Sequence, residues 1–361
     1  MQVAVLQEYK CPCCDGAIAF DSKTQKMKCP FCGTEFEIET LEQYSGILDN
    51  DGEDNLEWEK EAGTEWSEGE AENLNVYACN SCGGEIVGDE TTAATSCPYC
   101  GNPVVMLGKL SGSLKPDLVI PFKLDKKAAK EILKNHYKGK VLLPKVFKTE
   151  NKIEEIKGLY VPFWLFDADA NAHIRYKATR VRYWSDSRYN YTETKYYSVI
   201  RGGDIGFDNI PVDGSTKMAD DLMESLEPFN LADAVDFNTA YLAGYLADKY
   251  DVSAEDSIER ANYRIKNSTA AEFRKTVNGY TTVSTEASTI NLTRGSTRYA
   301  LLPVWILNTS WKDQKFTFAI NGQTGKIAGR LPMDKGAFAS WFFGVASAAS
   351  VISFVLMWLF R

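Results

Sequence analysis

The chain has 361 residues, a formal net charge of −9, and hydrophobic and charged fractions of 44% and 25%. These are the values of an ordinary globular protein long enough for more than one domain, and they exclude wholesale disorder. All nine cysteines lie within the first hundred residues, a usage typical of metal binding in a reducing compartment such as the cytosol.

Two segments near the N-terminus share one cysteine spacing. Both "CPCCDGAIAFDSKTQKMKCPFC" and "CNSCGGEIVGDETTAATSCPYC" read C-x2-C-x14-C-x2-C. A gap of two residues lets a tight turn aim both sulfurs at one point, and a glycine after the pair lets the backbone curl around a metal. We therefore predict two zinc ribbons, each holding one structural Zn2+. The predicted ligands are Cys11, Cys14, Cys29 and Cys32 in one site and Cys79, Cys82, Cys97 and Cys100 in the other.

A site of four thiolates fills every coordination position of tetrahedral zinc, so it acts as a structural staple and leaves no place for water or substrate. The ninth thiol, Cys13, lies inside the first knuckle and is interpreted as a spare. Two alternatives stay open. One is disulfides, which an odd number of cysteines disfavours, and the other is a rubredoxin-like iron site built on similar knuckles.

A strongly acidic segment separates the two predicted ribbons. Residues 39–72 carry thirteen Asp or Glu against the single Lys60. Such acidity is typical of a disordered or partly helical linker, and it repels nucleic acid. The isolated Trp58 and Trp66 either pack on the protein's own body, which is the interpretation we favour, or anchor a partner protein.

The body that follows contains an internal repeat. "GLYVPFWLFD" and "YALLPVWILN" share a proline and, two residues later, a tryptophan. The aligned pairs are Pro162 with Pro303 and Trp164 with Trp305. Repetition of this kind predicts two related α+β units, 109–225 and 226–336, each with helices packed on antiparallel sheet.

Helix and strand signals surround both repeats. Asp125 is positioned to cap a helix as far as about His136, and Ser253 with Asp256 resembles a capping box that opens a helix toward Val277. A further helical segment is expected in "EPFNLADAVDF". The stretches "AHIRYKATRVRYW" and "KFTFAINGQTGKIAGR" alternate as strands do, and the Asn-Gly pair in the second is expected to supply left-handed turn positions.

The strand after the first repeat interleaves basic and aromatic side chains. Period-two alternation favours charges on the solvent face and rings in the core. The alternative is a basic aromatic face that binds single-stranded nucleic acid or anionic lipid. The basic residues are Arg175, Lys177, Arg180, Arg182, Arg188, Lys195 and Arg201, and the aromatic ones are Tyr176, Tyr183, Trp184, Tyr189, Tyr191, Tyr196 and Tyr197.

Sequence signatures of catalysis are missing. "NGQTGK" has too few residues between its glycines for a phosphate loop and lacks the required Ser or Thr. His136 and His173 have no recognisable partner, and Asp204, Asp208 and Asp213 are interpreted as loop-turn residues. We therefore expect no enzymatic activity, with a redox site or a carboxylate-based site as the alternative.

The last segment is strongly apolar. Residues 337–360 contain no charged side chain, and a helix of that length spans roughly 36 Å, enough to cross a bilayer. Trp341 and Trp358 stand near its ends, where indoles prefer the membrane interface. Basic residues lie mostly before the segment, which predicts a cytosolic N-terminal bulk, and no signal peptide is predicted at the start of the chain. A buried core helix is the alternative.

Several landmarks together resemble a known family. They are "CPYCGNPVV", "VIPFKLDKKAAKEILKNHYKGKVLLPKVF", "LYVPFWLFDA", "YLAGYLADKYDV" and "LLPVWILNT", followed by the apolar tail. From Tyr77 onward the chain resembles bacterial transcription factor IIB-type zinc-ribbon-containing membrane proteins, some of which are labelled as replication-restart helicases. The resemblance implies a bacterial membrane protein with zinc ribbons and no defined biochemical role, and this chain carries no helicase motor motif.

We therefore predict an α+β protein with two small β ribbons, a duplicated body and one transmembrane helix. The predicted parts are ribbon 1–40, acidic linker 41–75, ribbon 76–108, α+β units 109–225 and 226–336, and transmembrane helix 337–360. The expected function is a tail-anchored membrane protein that binds or scaffolds an unidentified protein partner. A nucleic-acid-binding regulator tethered to the membrane is an alternative that the acidic charge disfavours, and a redox or enzymatic protein is another.

Overall fold

The fold is known from a computed structural model, which describes residues 11, 16–38, 41, 58, 62–89, 96–110 and 112–360. It is a mixed α+β protein, as predicted. The strands are β1 (Ala19–Asp21), β2 (Lys26–Lys28), β3 (Glu35–Phe36), β4 (Leu74–Ala78), β5 (Glu85–Asp89), β6 (Val105–Lys109), β7 (Leu118–Val119), β8 (Lys157–Ser185), β9 (Asn190–Asp213), β10 (Val235–Asp236), β11 (Leu246–Asp248), β12 (Thr282–Trp311), β13 (Gln314–Asn321) and β14 (Ile327–Gly329). The α-helices are α1 (Lys126–Tyr137), α2 (Glu150–Glu154), α3 (Asp220–Ser225), α4 (Ala254–Lys275) and α5 (Lys335–Leu359).

Contacts divide the chain into two compact units, each assembled from separate stretches. The hairpin unit comprises Met1–Lys60, Phe166–Ile210 and Glu259–Ser296, and the sheet unit comprises Glu61–Leu165, Pro211–Ile258 and Thr297–Arg361. The predicted consecutive units, 109–225 and 226–336, follow the sequence repeat and not this grouping, and they stay a prediction.

Two helices begin where their capping residues stand. The Asp125 carboxylate accepts a hydrogen bond from the Ala128 N–H at 2.7 Å, at the start of α1. The Ser253 hydroxyl accepts from the Asp256 N–H at 3.0 Å and donates to its carboxylate at 2.7 Å, before α4. These side chains satisfy backbone N–H groups that have no partner within the helix. Both predicted helices are confirmed, with ends within two residues of those expected.

The helix expected in "EPFNLADAVDF" is wrong. Only a 3-10 turn forms, Leu231–Asp233, and β10 begins after one further residue. Tertiary hydrogen bonds hold this turn, because the Gln323 side chain bonds both the backbone of Asn230 and the carboxylate of Asp233. Contacts with distant residues therefore override the local pattern here.

In the sheet unit the internal repeat is a structural duplication. The strand order β10-β7-β12-β8-β11-β5-β4-β6 places the two repeated strands, β12 and β8, side by side. A short strand pairs in parallel with each of them: β7 with β12 at Ala300 and Leu301, and β11 with β8 at Leu159 and Tyr160. Each central strand is thus flanked by the short strand that precedes the other one in the chain.

The repeated tryptophans occupy equivalent positions. The indole N–H of Trp164 donates to the Val252 carbonyl at 2.9 Å, and that of Trp305 donates to the Leu124 carbonyl at 3.0 Å. Each of these carbonyls directly precedes the capping residue of a helix, α4 and α1 respectively. Each half of the duplication therefore fixes the start of the helix that belongs to the other half.

The repeated prolines show the same equivalence. The Pro162 carbonyl accepts from the Gly214 N–H at 2.9 Å, and the Pro303 carbonyl accepts from the Gly322 N–H at 2.8 Å. The left-handed conformation expected at the Asn-Gly pair is wrong, because the positive φ of this turn, +78°, falls on Gly325. Gly322 is needed for another reason: a Cβ there would lie 2.7 Å from the Phe122 ring.

In the hairpin unit, β8 and β9 form a long antiparallel ribbon against which α4 packs. Small and aliphatic residues of β8 make the core with residues of α4 and β12. The residues are Ala168, Ala170, Ala172, Ile174, Ile265, Phe273, Ile290 and Leu292. Asp204 and Asp208, predicted to be loop residues, lie in β9 on its exposed side, since Ile205 and Phe207 between them face the core.

Helix α5 begins after Asp334, whose carboxylate accepts from the Gly336 N–H at 2.9 Å. It has 25 residues and a mean hydropathy of 2.0 in its most apolar window, none of which is buried against the described chain. Such a helix is long and apolar enough to cross a membrane. The structure therefore agrees with the predicted C-terminal apolar helix within two residues at each end.

Candidate metal centres

The cysteines of the second motif meet at one point. The sulfurs of Cys79, Cys82, Cys97 and Cys100 all lie within 4.8 Å of one another. The Sγ atoms of Cys79 and Cys100 are 3.4 Å apart, and those of Cys82 and Cys97 are 3.6 Å apart. Disulfide-bonded sulfurs are about 2.05 Å apart, whereas a zinc tetrahedron with bonds of about 2.3 Å has edges of about 3.8 Å. The separations fit metal coordination and are longer than a disulfide bond.

Two tight turns present these sulfurs. In each turn a glycine after the second cysteine donates its N–H to the first cysteine's carbonyl: Gly83 to Cys79 at 2.8 Å and Gly101 to Cys97 at 3.0 Å. Both glycines have positive φ, +71° and +76°, a conformation that side chains with a Cβ rarely adopt. The conformation expected from the sequence is therefore present in both turns.

The surroundings shift the pKa values of the thiols in different directions. Burial raises the pKa of Cys97 far above the ordinary value. Burial also acts to raise the pKa of Cys79, but the N–H groups of Cys82 and Ser81 outweigh it and lower that pKa to about 7. N–H groups aimed at sulfur stabilise thiolates, and a divalent cation replaces the remaining protons when it binds. The donor set therefore suits Zn2+, which prefers four thiolates in tetrahedral geometry.

This cluster is built into the edge of the main sheet. Strand β4 lies between β5 and β6, which connect to the two turns, and β5 pairs antiparallel with β11 at Val87 and Ile86. Cys79 and Cys97 are buried in the same core as Leu159 and Val161 of β8. A metal held here would therefore stabilise the edge of the sheet unit.

The first motif forms a smaller described cluster. The sulfurs of Cys11, Cys29 and Cys32 lie within 4.8 Å of one another, with Cys11 and Cys32 3.6 Å apart. Gly33 has a φ of +74° and donates to the Cys29 carbonyl at 2.9 Å, as in the other turns. The fourth predicted ligand, Cys14, and the spare Cys13 lie outside the described residues. Three sulfurs are thus placed together as predicted.

The first cluster is more open to solvent than the second. Cys32 is exposed, and the Thr34 hydroxyl contacts its sulfur at 3.2 Å. That hydrogen bond lowers the pKa of Cys32 to about 6. The three short strands β1, β2 and β3 form their own sheet around it. A metal at this cluster would be held by a small sheet with a solvent-facing sulfur.

The tryptophans of the acidic segment pack on the protein itself. The Trp58 indole lies 5.0 Å from the Phe166 ring and donates to the Asn262 side chain at 2.9 Å. In the sheet unit Trp66 packs edge-on against Phe237, with centroids 6.0 Å apart, and its indole donates to a backbone carbonyl. The interpretation that these rings contact the protein's own body is confirmed.

Sequence reasoning missed a buried carboxylate beside the second cluster. Asp248 is 2% exposed and accepts a hydrogen bond from the Ser215 hydroxyl at 2.5 Å. The Tyr99 hydroxyl, from the turn between Cys97 and Cys100, faces the same carboxylate, and burial raises the pKa of Asp248 to about 7. The strand pairing puts Asp248 at the end of β11 where the apolar Ile120 follows β7, a match that the quoted sequence repeat does not reach.

The fold and the cysteine clusters define a class: α+β proteins with thiolate clusters able to hold metal ions and an apolar C-terminal helix. The chain is 35% identical over 338 residues to a protein of Bacillus subtilis (strain 168) named "Uncharacterized protein YdjG", and the match covers 94% of each sequence. The chain belongs to the family of that protein. No protein-family profile matches the chain, and no solved structure matches it.

Proposed function

We propose that this protein is a scaffold anchored in the membrane by α5, with two structural Zn2+ ions that shape a surface for binding another protein. The zinc ligands would be the eight predicted cysteines. We also place the protein among the bacterial transcription factor IIB-type zinc-ribbon-containing membrane proteins, on the landmarks quoted above.

The observation that carries this proposal is the position of the second cluster. A closed four-sulfur site has no coordination position for substrate, and this one ties β5 and β6 to the edge of the main sheet. A metal in that place would stiffen the surface formed by these strands, as a binding module requires. Preorganisation of this kind favours affinity because less freedom is lost on binding.

The anchoring role rests on α5. Lys326, Arg330 and Lys335 precede the apolar stretch. Cytoplasmic flanks carry the excess of Lys and Arg, which supports a cytoplasmic location for the cysteine clusters. That compartment keeps thiols reduced and available to zinc.

The test is a crosslinking capture from native membranes with the full-length protein and three variants. Cys97→Ser removes a ligand of the second cluster, Cys29→Ser removes one of the first, and Cys13→Ser is the matched control. We expect wild type and Cys13→Ser to retain two zinc ions per chain and the same crosslinked partner. Each ligand variant should lose one zinc ion, and Cys97→Ser should also lose the partner.

Other outcomes would count against the proposal. Iron in place of zinc after expression without added metal would favour the redox alternative. Partner capture that is identical in all four proteins would remove the clusters from the binding surface. Release of the chain from membranes by carbonate would remove the anchor.

A further inference from the structure

The tip of the β8–β9 hairpin exposes an unusual set of rings. The tip, residues 182–191, comprises the end of β8, the turn 186–189 and the start of β9, and the aromatic side chains here and shortly beyond are turned to solvent. The exposed fractions are 74% for Tyr183, 46% for Trp184, 64% for Tyr189, 37% for Tyr191 and 47% for Tyr196. The predicted burial of aromatic residues holds nearer the body, where Tyr176 and Tyr197 pack on the core, and is wrong at the tip.

Within the described chain, the cations of the tip are less neutralised than its anions. The Asp186 carboxylate accepts from the N–H groups of Arg188 and Tyr189 at 2.7 and 2.8 Å and from the Tyr191 hydroxyl at 2.8 Å. This carboxylate is therefore occupied in forming the turn, and these bonds lower its pKa. Arg182 lies 5.7 Å from the centre of the Trp184 ring. Neither Arg182 nor Arg188 is paired with a carboxylate in the described structure.

Exposed rings beside cations suit either single-stranded nucleic acid or an anionic lipid surface. The geometry of the rings distinguishes between these two ligands. Single-stranded nucleic acid needs open ring faces on which bases stack. Trp184 and Tyr191 stack on each other instead, with centroids 5.4 Å apart and planes 10° apart, and Arg182 also lies over the Trp184 ring. The face shared by Trp184 and Tyr191 is thus closed to stacking bases. That arrangement suits the water–lipid interface, where tyrosine and tryptophan concentrate.

We propose that this hairpin tip is a second membrane contact, which seats its rings at the interface of an anionic bilayer while Arg182 and Arg188 bind lipid phosphates. Charge complementarity carries the choice of lipid, since basic residues near an anionic leaflet are attracted to it. The inference rests on the proposed anchoring by α5, because a chain tied to the bilayer meets its surface at high effective concentration.

The test uses the full-length protein in nanodiscs of phosphatidylcholine alone and of phosphatidylcholine with phosphatidylglycerol. Amide hydrogen exchange is followed in peptides that cover residues 182–191. We expect exchange at least fivefold slower in the anionic discs, since one basic residue contributes a factor of about five near such a surface. Arg182→Gln/Arg188→Gln should abolish the difference, and Tyr183→Ser/Tyr189→Ser should reduce it.

The matched control is Lys127→Gln/Lys138→Gln, which removes two exposed charges near the ends of α1 and should leave the difference unchanged. Equal exchange in both kinds of disc would overturn the inference, as would protection produced by a short oligothymidylate and not by anionic lipid. A chain that does not enter nanodiscs at all would overturn the proposed anchor. A chain that enters them with an unprotected hairpin would overturn only this inference.

Discussion

Asp248 makes the stability of the sheet unit depend on pH in a direction opposite to that of most carboxylates. Burial raises its pKa from 3.8 to about 7, so the folded state keeps a proton that the unfolded chain releases above about pH 4. Between these two values the folded state binds more protons, and stability falls as the pH rises through that window. Below the window the stabilisation is complete, and above pH 7 it is lost.

The magnitude follows from the width of the window. Between pH 5 and pH 8 the stability falls over about two pH units, from pH 5 to about pH 7. At 1.36 kcal/mol per unit this is a loss of about 3 kcal/mol. The variant Asp248→Asn removes the titration and keeps an oxygen to accept the Ser215 hydrogen bond. We therefore expect its stability relative to wild type to rise by this amount between the two pH values.

The assay is thermal unfolding of the full-length protein in detergent with excess zinc, followed by tryptophan fluorescence. A loss of about 3 kcal/mol corresponds to roughly 4 °C in a protein of this size. The melting temperature of Asp248→Asn minus that of wild type should rise by that amount from pH 5 to pH 8. Asp313→Asn, in an exposed turn, is the matched control and should follow wild type. A difference that does not change with pH would refute the reasoning.

Three further predictions concern the clusters and the duplication. Cys97→Ser should bind about one zinc ion per chain and Cys13→Ser about two, measured by metal analysis after gel filtration; equal contents would contradict the ligand assignment. Trp305→Phe should destabilise the protein by about 1–3 kcal/mol, because the carbonyl before α1 loses its donor, and an unchanged denaturation midpoint would contradict this. Gly322→Ala should cost about 1–3 kcal/mol, because its Cβ would meet a ring at 2.7 Å, whereas Gly344→Ala, which has open space around it, should leave the midpoint unchanged.

Local chemistry made part of the fold predictable. Asp125 and the Ser253–Asp256 pair correctly predicted the starts of their helices, since capping depends only on neighbouring backbone groups. Cysteine spacing likewise placed seven of the eight predicted ligands into two described clusters. These features are determined within a few residues of sequence, and for that reason the sequence of this chain was enough to predict them.

Features that depend on distant partners were harder to predict. The segment after Glu227 has a helical pattern, but Gln323 holds it as a single turn. Asp204 and Asp208 look like turn residues, yet β9 continues through them because Ile205 and Phe207 pack on the core. The Asp248 carboxylate is buried by strands far apart in sequence, and no local signal marks such a site.

The exchange of short strands between the two halves delays completion of the central sheet during synthesis of the chain. β8 is synthesised early but cannot pair with β11 until that later strand is made. β7 must remain unpaired for longer still, until β12 is made. The last of these partners is synthesised shortly before α5. The central sheet therefore completes only when the membrane-length helix is about to emerge, and until then its apolar strand edges are exposed to aggregation and to chaperones.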